Sequence, residues 1–181
     1  MEKFEENKRT NVHGDIHEKT ISLLDTDQKK KDYAQYRDEF NKASNFEKRY
    51  DFPIHLDLEI DNICNYACTF CPIGQPESEL GEFYKSKFEI PKKKIFEIID
   101  ESKDIGVKSI QFSLVNEPLA NKNIFEILKY TSQKNFEDIF IISNGSLLNE
   151  KKSLQLLDSG LKKIQFSLDA IRPDTYEKNR F

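Results

Sequence analysis

The sequence has no cysteine outside one eight-residue stretch, no apolar run long enough to cross a bilayer and no excess of positive charge. Each absence removes a class of explanation. A membrane helix needs roughly 18 or more apolar residues in a row, and nothing here approaches that, so no membrane partner is expected. The opening MEKFEENKRT has no apolar core, so no secretory signal is read and the chain is expected in the cytoplasm. A formal net charge of −4 argues against nucleic acid as a partner. In a reducing compartment, cysteines serve as metal ligands or reactive groups rather than as disulfides. The length of 181 residues suits a single domain of ordinary size.

What is present divides the chain in two. Residues 1 to about 28 are polar without a sustained period and read as a tail. His13 and His17 have helix-face metal spacing, but no other ligand type clusters with them, so a solvated tail is the reading. From Lys29 to Tyr50, the spacing of Tyr33, Tyr36, Phe40 and Ala43 predicts an amphipathic helix. Residues 1–50 are thus taken as an N-terminal segment and residues 51–181 as the core domain. There, PIHLDLEI alternates strictly, with Ile54, Leu56, Leu58 and Ile60 on one face and His55, Asp57 and Glu59 on the other, the period of a strand. Further strands are predicted in VKSIQFSLV, DIFIIS and KKIQFSLD. Helices are predicted in PKKKIFEIIDESKDIG, NIFEILKYTSQ and NEKKSLQLLDSG, and again from Pro173. Pro91 suits a helix start, and Gly106 and Gly160 suit left-handed exits.

Strand and helix alternate four times, the mark of βαβ units on a parallel sheet. The pentapeptide IQFSL recurs unchanged 54 residues apart, two units of about 27 residues each, as equivalent strands of one sheet. Ile110, Phe112 and Leu114, like Ile164, Phe166 and Leu168, are expected to pack on helices. Gln111, Ser113, Gln165 and Ser167 then point to the other face, which is expected to line a polar cavity because unpartnered buried amides and hydroxyls are costly. The fold class is α/β, a partial (β/α) TIM-like barrel of parallel strands with four βα units, preceded by an N-terminal helix.

The chemistry is concentrated in CNYACTFC. Cys64, Cys68 and Cys71 are spaced C-x3-C-x2-C, close enough on a loop to reach one metal centre. Iron–sulfur clusters commonly take four thiolates, and the chain has three cysteines in all, which leaves one position open or filled from elsewhere. A structural Cys3His zinc site with His55, or an electron-transfer iron–sulfur module, are the alternatives. Zinc sites usually come as two ligand pairs, which favours iron–sulfur. In parallel α/β sheets, sites form outside the carboxyl ends of the strands. The cysteine loop, Asn116-Glu117-Pro118, Ser143-Asn144-Gly145, and Ser167 with Asp169 all fall there.

With Phe70 before its last cysteine, CNYACTFC resembles the cluster motif of the radical S-adenosylmethionine (radical SAM) enzymes. The resemblance continues through VNEP, SNG and SLDA…YEKNR and covers residues 54–181. It implies that Cys64, Cys68 and Cys71 bind a [4Fe–4S] cluster whose fourth iron is chelated by S-adenosylmethionine. Reductive cleavage of that cofactor would give a 5′-deoxyadenosyl radical that abstracts hydrogen from an unknown peptide, sugar or metabolite substrate. By the same resemblance Phe70 would pack near the adenine and Glu117 would hold the methionine ammonium. Asn116 stands in the family's Gly-Gly-Glu-Pro position, where the glycines are absent. Ser143, Asn144 and Ser167 would contact cofactor or substrate, and Arg180 would pair with the methionine carboxylate. An external electron donor such as a flavodoxin or ferredoxin is implied. The style of the motifs resembles the branch with SPASM or twitch extensions, whose extra cysteines are absent here. Because the family's partial barrel has six βα units, this chain is expected to be a C-terminally incomplete core whose fourth strand is an unpaired edge.

Overall fold

The computed structural model of the chain describes residues 12–75 and 86–180, with side chains described from residue 17 onward. The backbone divides into two compact units, residues 1–49 and 50–181. In the first, two helices follow one another, α1 (Val12–Leu23) and α2 (Asp27–Ser44). The α1 helix corrects the reading of residues 12–23 as a tail; the first eleven residues of that tail lie outside the described residues. Sequence periodicity missed α1 because its apolar residues do not keep to a single helical stripe. The start of α2 is fixed by Thr26, whose hydroxyl accepts from the Lys29 amide at 3.2 Å. His17 Nδ1 lies 2.9 Å from the Tyr33 hydroxyl, and Tyr33 packs edge-on against Tyr36. The side chain of His13, the other half of that candidate pair, lies outside the described residues.

In the second unit the alternation is β1 (His55–Asp57), α3 (Lys92–Asp104), β2 (Ser109–Gln111), α4 (Ile124–Ser132), β3 (Asp138–Ser143), α5 (Glu150–Asp158), β4 (Lys163–Phe166) and α6 (Pro173–Arg180). Among the described residues the sheet has four strands, all parallel, in the order β1-β2-β3-β4. Pro91 stands just before the first turn of α3, where a missing N–H costs nothing. Gly106 and Gly160 end α3 and α5 with φ of +98° and +77°, and a Cβ at Gly160 would stand 2.4 Å from the Ser132 Cβ. Both helix exits therefore require glycine, once for the dihedral and again for the close approach.

The core lies between the sheet and helices α3 to α5. Ile95 and Ile99 of α3, Ile110 and Phe112, Ile124, Ile127 and Leu128 of α4, and Ile139 and Ile141 of β3 are all buried in one cluster. Fully burying such a side chain is worth about 1.5–3 kcal/mol. The opposite face of the sheet is polar and internally partnered. His55 Nδ1 lies 2.7 Å from Ser109 Oγ and its Nε2 lies 3.1 Å from Asp57 Oδ1, while its ring stacks on Phe140. Buried Asp138 pairs with Lys163 at 3.3 Å.

The two copies of IQFSL are not equivalent in their surroundings. Ile110 and Phe112 are fully buried, but Leu114 is 59% exposed, Phe166 45% and Leu168 74%, which corrects the expectation that all six apolar letters pack on helices. Regular pairing in β2 ends at Gln111, so Leu114 has already left the sheet. Among the described residues β4 is an edge strand, with no strand paired on its far side. Gln165 is exposed there, whereas Gln111 is buried and donates to the Ser113 carbonyl.

Truncating equivalent isoleucines should expose this asymmetry. Ile110→Ala should lower unfolding free energy by about 2–5 kcal/mol, and Ile164→Ala by less than half as much, both measured by urea denaturation. Equal losses would contradict the central and edge assignments.

Candidate functional site

A cavity of about 220 Å³ opens at the carboxyl ends of the strands. The ten residues given a role by resemblance line it, namely the three cysteines, Phe70, Asn116, Glu117, Ser143, Asn144, Ser167 and Arg180; Asp169 lines it too, while Pro118 and Gly145, expected at the same rim, are not on its wall. The ten come from the cysteine loop, the turn after β2, the end of β3, the residue after β4 and helix α6, and topology rather than sequence proximity gathers them.

The cysteine loop begins where β1 ends. Asp61, fully buried, accepts from the Ile63 amide at 2.9 Å and from Asn121 Nδ2 at 2.6 Å, which fixes the direction of entry. The Glu117 amide donates to the Ile63 carbonyl at 2.8 Å. Asn65 spans to the loop after β3, donating to Ser146 Oγ at 2.8 Å and accepting from Asn144 Nδ2 at 3.1 Å. The Thr69 amide donates to the Asn179 carbonyl in α6 at 3.0 Å. The loop is thus held from three neighbouring segments. Its cysteines are all free, Cys68 buried and Cys64 and Cys71 half-buried.

Glu117 is the centre of the opposite wall. It is 2% exposed, yet its carboxylate is matched. Oε1 accepts from Ser143 Oγ at 2.8 Å and from the Leu119 amide at 3.0 Å, and Oε2 accepts from the Asn144 amide at 2.7 Å. A carboxylate has about four acceptor positions, so three are used within the chain. Sequence reading gave Glu117 a ligand-binding role only and missed this scaffolding role. Glu59, expected to face the interior, instead clamps the preceding turn: its carboxylate accepts from the Val115 and Asn116 amides at 2.9 and 3.2 Å. Burial raises its pKa, an effect those amide hydrogen bonds oppose.

Asn116 is the departure. It is 9% exposed, and both its side-chain oxygen and nitrogen are buried without a partner. Orphaned buried polar atoms are rare and call for a ligand or water. Arg180, 6% exposed, donates from Nη1 to Cys68 Sγ at 3.5 Å and from Nη2 to the Ser167 carbonyl at 3.0 Å, and pairs with Asp169. Phe70 is 60% exposed at the rim, with the Arg180 guanidinium 5.4 Å from its ring centre. Burial raises the pKa of the Cys64 thiol, the charges of Glu117, Cys68 and Cys71 raise it further, and the Tyr66 amide opposes them.

These residues fit a cationic, thiolate-ligated centre. Three free thiols and no fourth cysteine border one cavity, and the amide of Asn116 awaits a polar partner on the same wall. Among the described residues no three His, Cys, Asp or Glu side chains converge as ligands of a single metal ion. His55, the candidate fourth ligand of a zinc site, is engaged with Ser109 and Asp57 and is not on the cavity wall. Among the described residues no helix is long and apolar enough to cross a membrane.

The model of the Radical SAM superfamily matches residues 58–180. Among curated relatives, a probable GTP 3′,8-cyclase of Methanothermobacter marburgensis is 32% identical over 123 residues, 68% of this chain and 37% of that protein. The GTP 3′,8-cyclase of Desulforamulus reducens is 30% identical over 125 residues, 67% of this chain and 36% of that protein. The matched region is thus little more than a third of the length of these relatives. Among solved structures, BtrN in complex with AdoMet and 2-DOIA superposes with a TM-score of 0.55 at 21% identity, over 72% of this chain and 56% of that one. Streptococcus suis SuiB bound to S-adenosylmethionine gives 0.59 at 18% identity, over 93% and 37%. At these identities the structural matches speak for the fold.

The scaffolding role of Glu117 is testable apart from any ligand. Glu117→Ala should orphan three donors, at about 1–3 kcal/mol each, and remove hydrogen-exchange protection at the Leu119 and Asn144 amides. Ser143→Ala should cost less and leave both amides protected. Unchanged protection in Glu117→Ala would refute the role.

Proposed function

The chain belongs to the radical SAM superfamily, and from that premise we propose that Cys64, Cys68 and Cys71 hold the [4Fe–4S] cluster of a radical SAM enzyme core formed by residues 51–181. The family's cofactors, the cluster and S-adenosylmethionine, supply when bound the reductive cleavage of a carbon–sulfur bond and a radical that takes hydrogen from a substrate. The observation that carries the reading is that three free thiols, and no fourth cysteine, line one cavity inside the family-matched segment.

The other roles follow from what each side chain offers. Glu117 has one acceptor position beyond those its own chain uses, suited to an ammonium by a charge-assisted bond. Asn116 offers a donor and an acceptor side by side, which suits an amino acid end bearing both charges. Ser143, Asn144 and Ser167 complete the wall, and the exposed ring of Phe70 offers a flat apolar surface to a base. The Arg180 Nε, buried and without a partner, is available to a carboxylate. A one-electron donor of the flavodoxin or ferredoxin type would supply the electron. The substrate class stays a peptide, sugar or other metabolite. Likeness to GTP 3′,8-cyclases over little more than a third of their length supports the shared chemistry rather than GTP as substrate.

Anaerobic reconstitution, then reduction with S-adenosylmethionine present, should release 5′-deoxyadenosine, and Cys64→Ala should abolish that release. Failure to form a four-iron cluster, or release undiminished in Cys64→Ala, would refute the proposal. Reconstitution should also depend on pH. The Cys64 pKa is raised above its ordinary value of 9.0, so its proton is retained at neutral pH and must leave before metal binds. Below the raised pKa, each pH unit gives about ten times more thiolate. Iron uptake should therefore be faster at pH 8.5 than at pH 7.0, followed by cluster absorbance.

A further inference from the structure

Arg180 is held more tightly than contact with a passing ligand requires. Its guanidinium is buried, lies 3.5 Å from Cys68 Sγ, donates to the Ser167 carbonyl and pairs with Asp169. Its backbone is fixed as well, since Asn179 next to it accepts from the Thr69 amide of the cysteine loop. The position of the cation relative to the Cys68 sulfur is thus set by the fold, from the side chain and from the helix that carries it. Arginine stays protonated at any working pH, so this is a permanent positive charge against one particular sulfur.

The charges around it do not cancel. Asp169 is the opposing partner, but its side chain is 37% exposed against 7% for Arg180. Water screens the carboxylate more than the guanidinium. Glu117 lies on the far wall with its charge spread over three hydrogen bonds of its own. The nearest formal charge at Cys68 is therefore positive; it outweighs the partial charge of the Arg180 carbonyl, 4.0 Å from the same sulfur, and it comes with an N–H donor aimed at that sulfur. Hydrogen bonds to ligating sulfurs and net local charge are among the factors that set the reduction potential of an iron–sulfur centre.

We infer that Arg180 is a positioning residue that raises the reduction potential of the cluster through Cys68. The inference rests on the reading that Cys68 ligates the cluster. In the step concerned, one electron arrives from a low-potential donor, no bond breaks and no proton moves. The added negative charge falls beside a guanidinium that is already in place. Arg180 thereby favours the reduced form, from which the electron for cofactor cleavage is drawn. This role is separate from pairing with a cofactor carboxylate, which would use Nε and change cofactor affinity rather than potential.

The test is a redox titration of the reconstituted full chain without S-adenosylmethionine, followed by electron paramagnetic resonance of the reduced cluster, with iron and sulfide measured on each sample. Arg180→Gln should move the midpoint to lower potential. At the wild-type midpoint its ratio of reduced to oxidised cluster should fall on the order of tenfold, about 59 mV for one electron. Arg180→Lys, which keeps the charge, should recover a clear part of the shift. Asp169→Asn should move the midpoint the other way, and it keeps the test decisive if Arg180→Gln fails to load. A midpoint unchanged in Arg180→Gln at equal cluster content, a lysine variant shifted as far as the glutamine one, or no upward shift in Asp169→Asn would each overturn the inference. A wild-type chain that assembles no four-iron cluster would instead refute the underlying reading, and the inference with it.

Discussion

The site depends on one buried carboxylate. Glu117 is nearly inaccessible to water and carries a charge that would be prohibitive unpaired. It is tolerated because the Ser143 hydroxyl and the Leu119 and Asn144 amides converge on it, and charge-assisted bonds of this kind are roughly twice as strong as neutral ones. Those donors come from two loops, after β2 and after β3. Through its own amide Glu117 also holds Ile63, the residue before the first cysteine. One side chain therefore sets the spacing of three loops at the sheet's carboxyl edge. Glu59 performs a smaller version of the same task on the turn at Val115 and Asn116. With both glutamates in place, the glycines that the family motif carries are not needed to shape this turn.

This arrangement explains which parts of the site were legible in the sequence. The cysteine spacing, the strand alternation and the glycine exits are local signals: DIFIIS is β3 to the residue, whereas the alternating runs around β1, β2 and β4 extend beyond the three or four residues that pair, and the family match covers residues 58–180. The convergence of ten residues on one cavity was legible too, because parallel topology sends every strand's carboxyl end to the same rim. The hydrogen-bonding of Glu117 and Glu59 was not, since all of it but the local Leu119 amide joins residues 26 to 57 positions apart. No periodicity reports such a pairing. The fate of Leu114, Phe166 and Leu168 was misread for a related reason. Alternation says which side of a strand a residue occupies, but not whether the strand continues or has a neighbour.

The same limit applies to Arg180. In the sequence it is a charge near the end of a short helix, and exposed charges in that place are common. The physical distinction lies in what α6 points at. A helix C-terminus carries partial negative charge on its unsatisfied carbonyls. Here that end is delivered to the cysteine loop, where the Asn179 carbonyl accepts from the Thr69 amide and the Arg180 carbonyl accepts from the Cys68 thiol at 4.0 Å. That contact suits the thiol, but once Cys68 is a thiolate the same carbonyl opposes its charge. A cation in the last turn reverses the sign of that helix end, and a guanidinium does so while donating to the sulfur itself. With Arg180, the helix after β4 becomes the third wall of the site, and the electrostatics of Cys68 are governed by a residue 112 positions further along the chain.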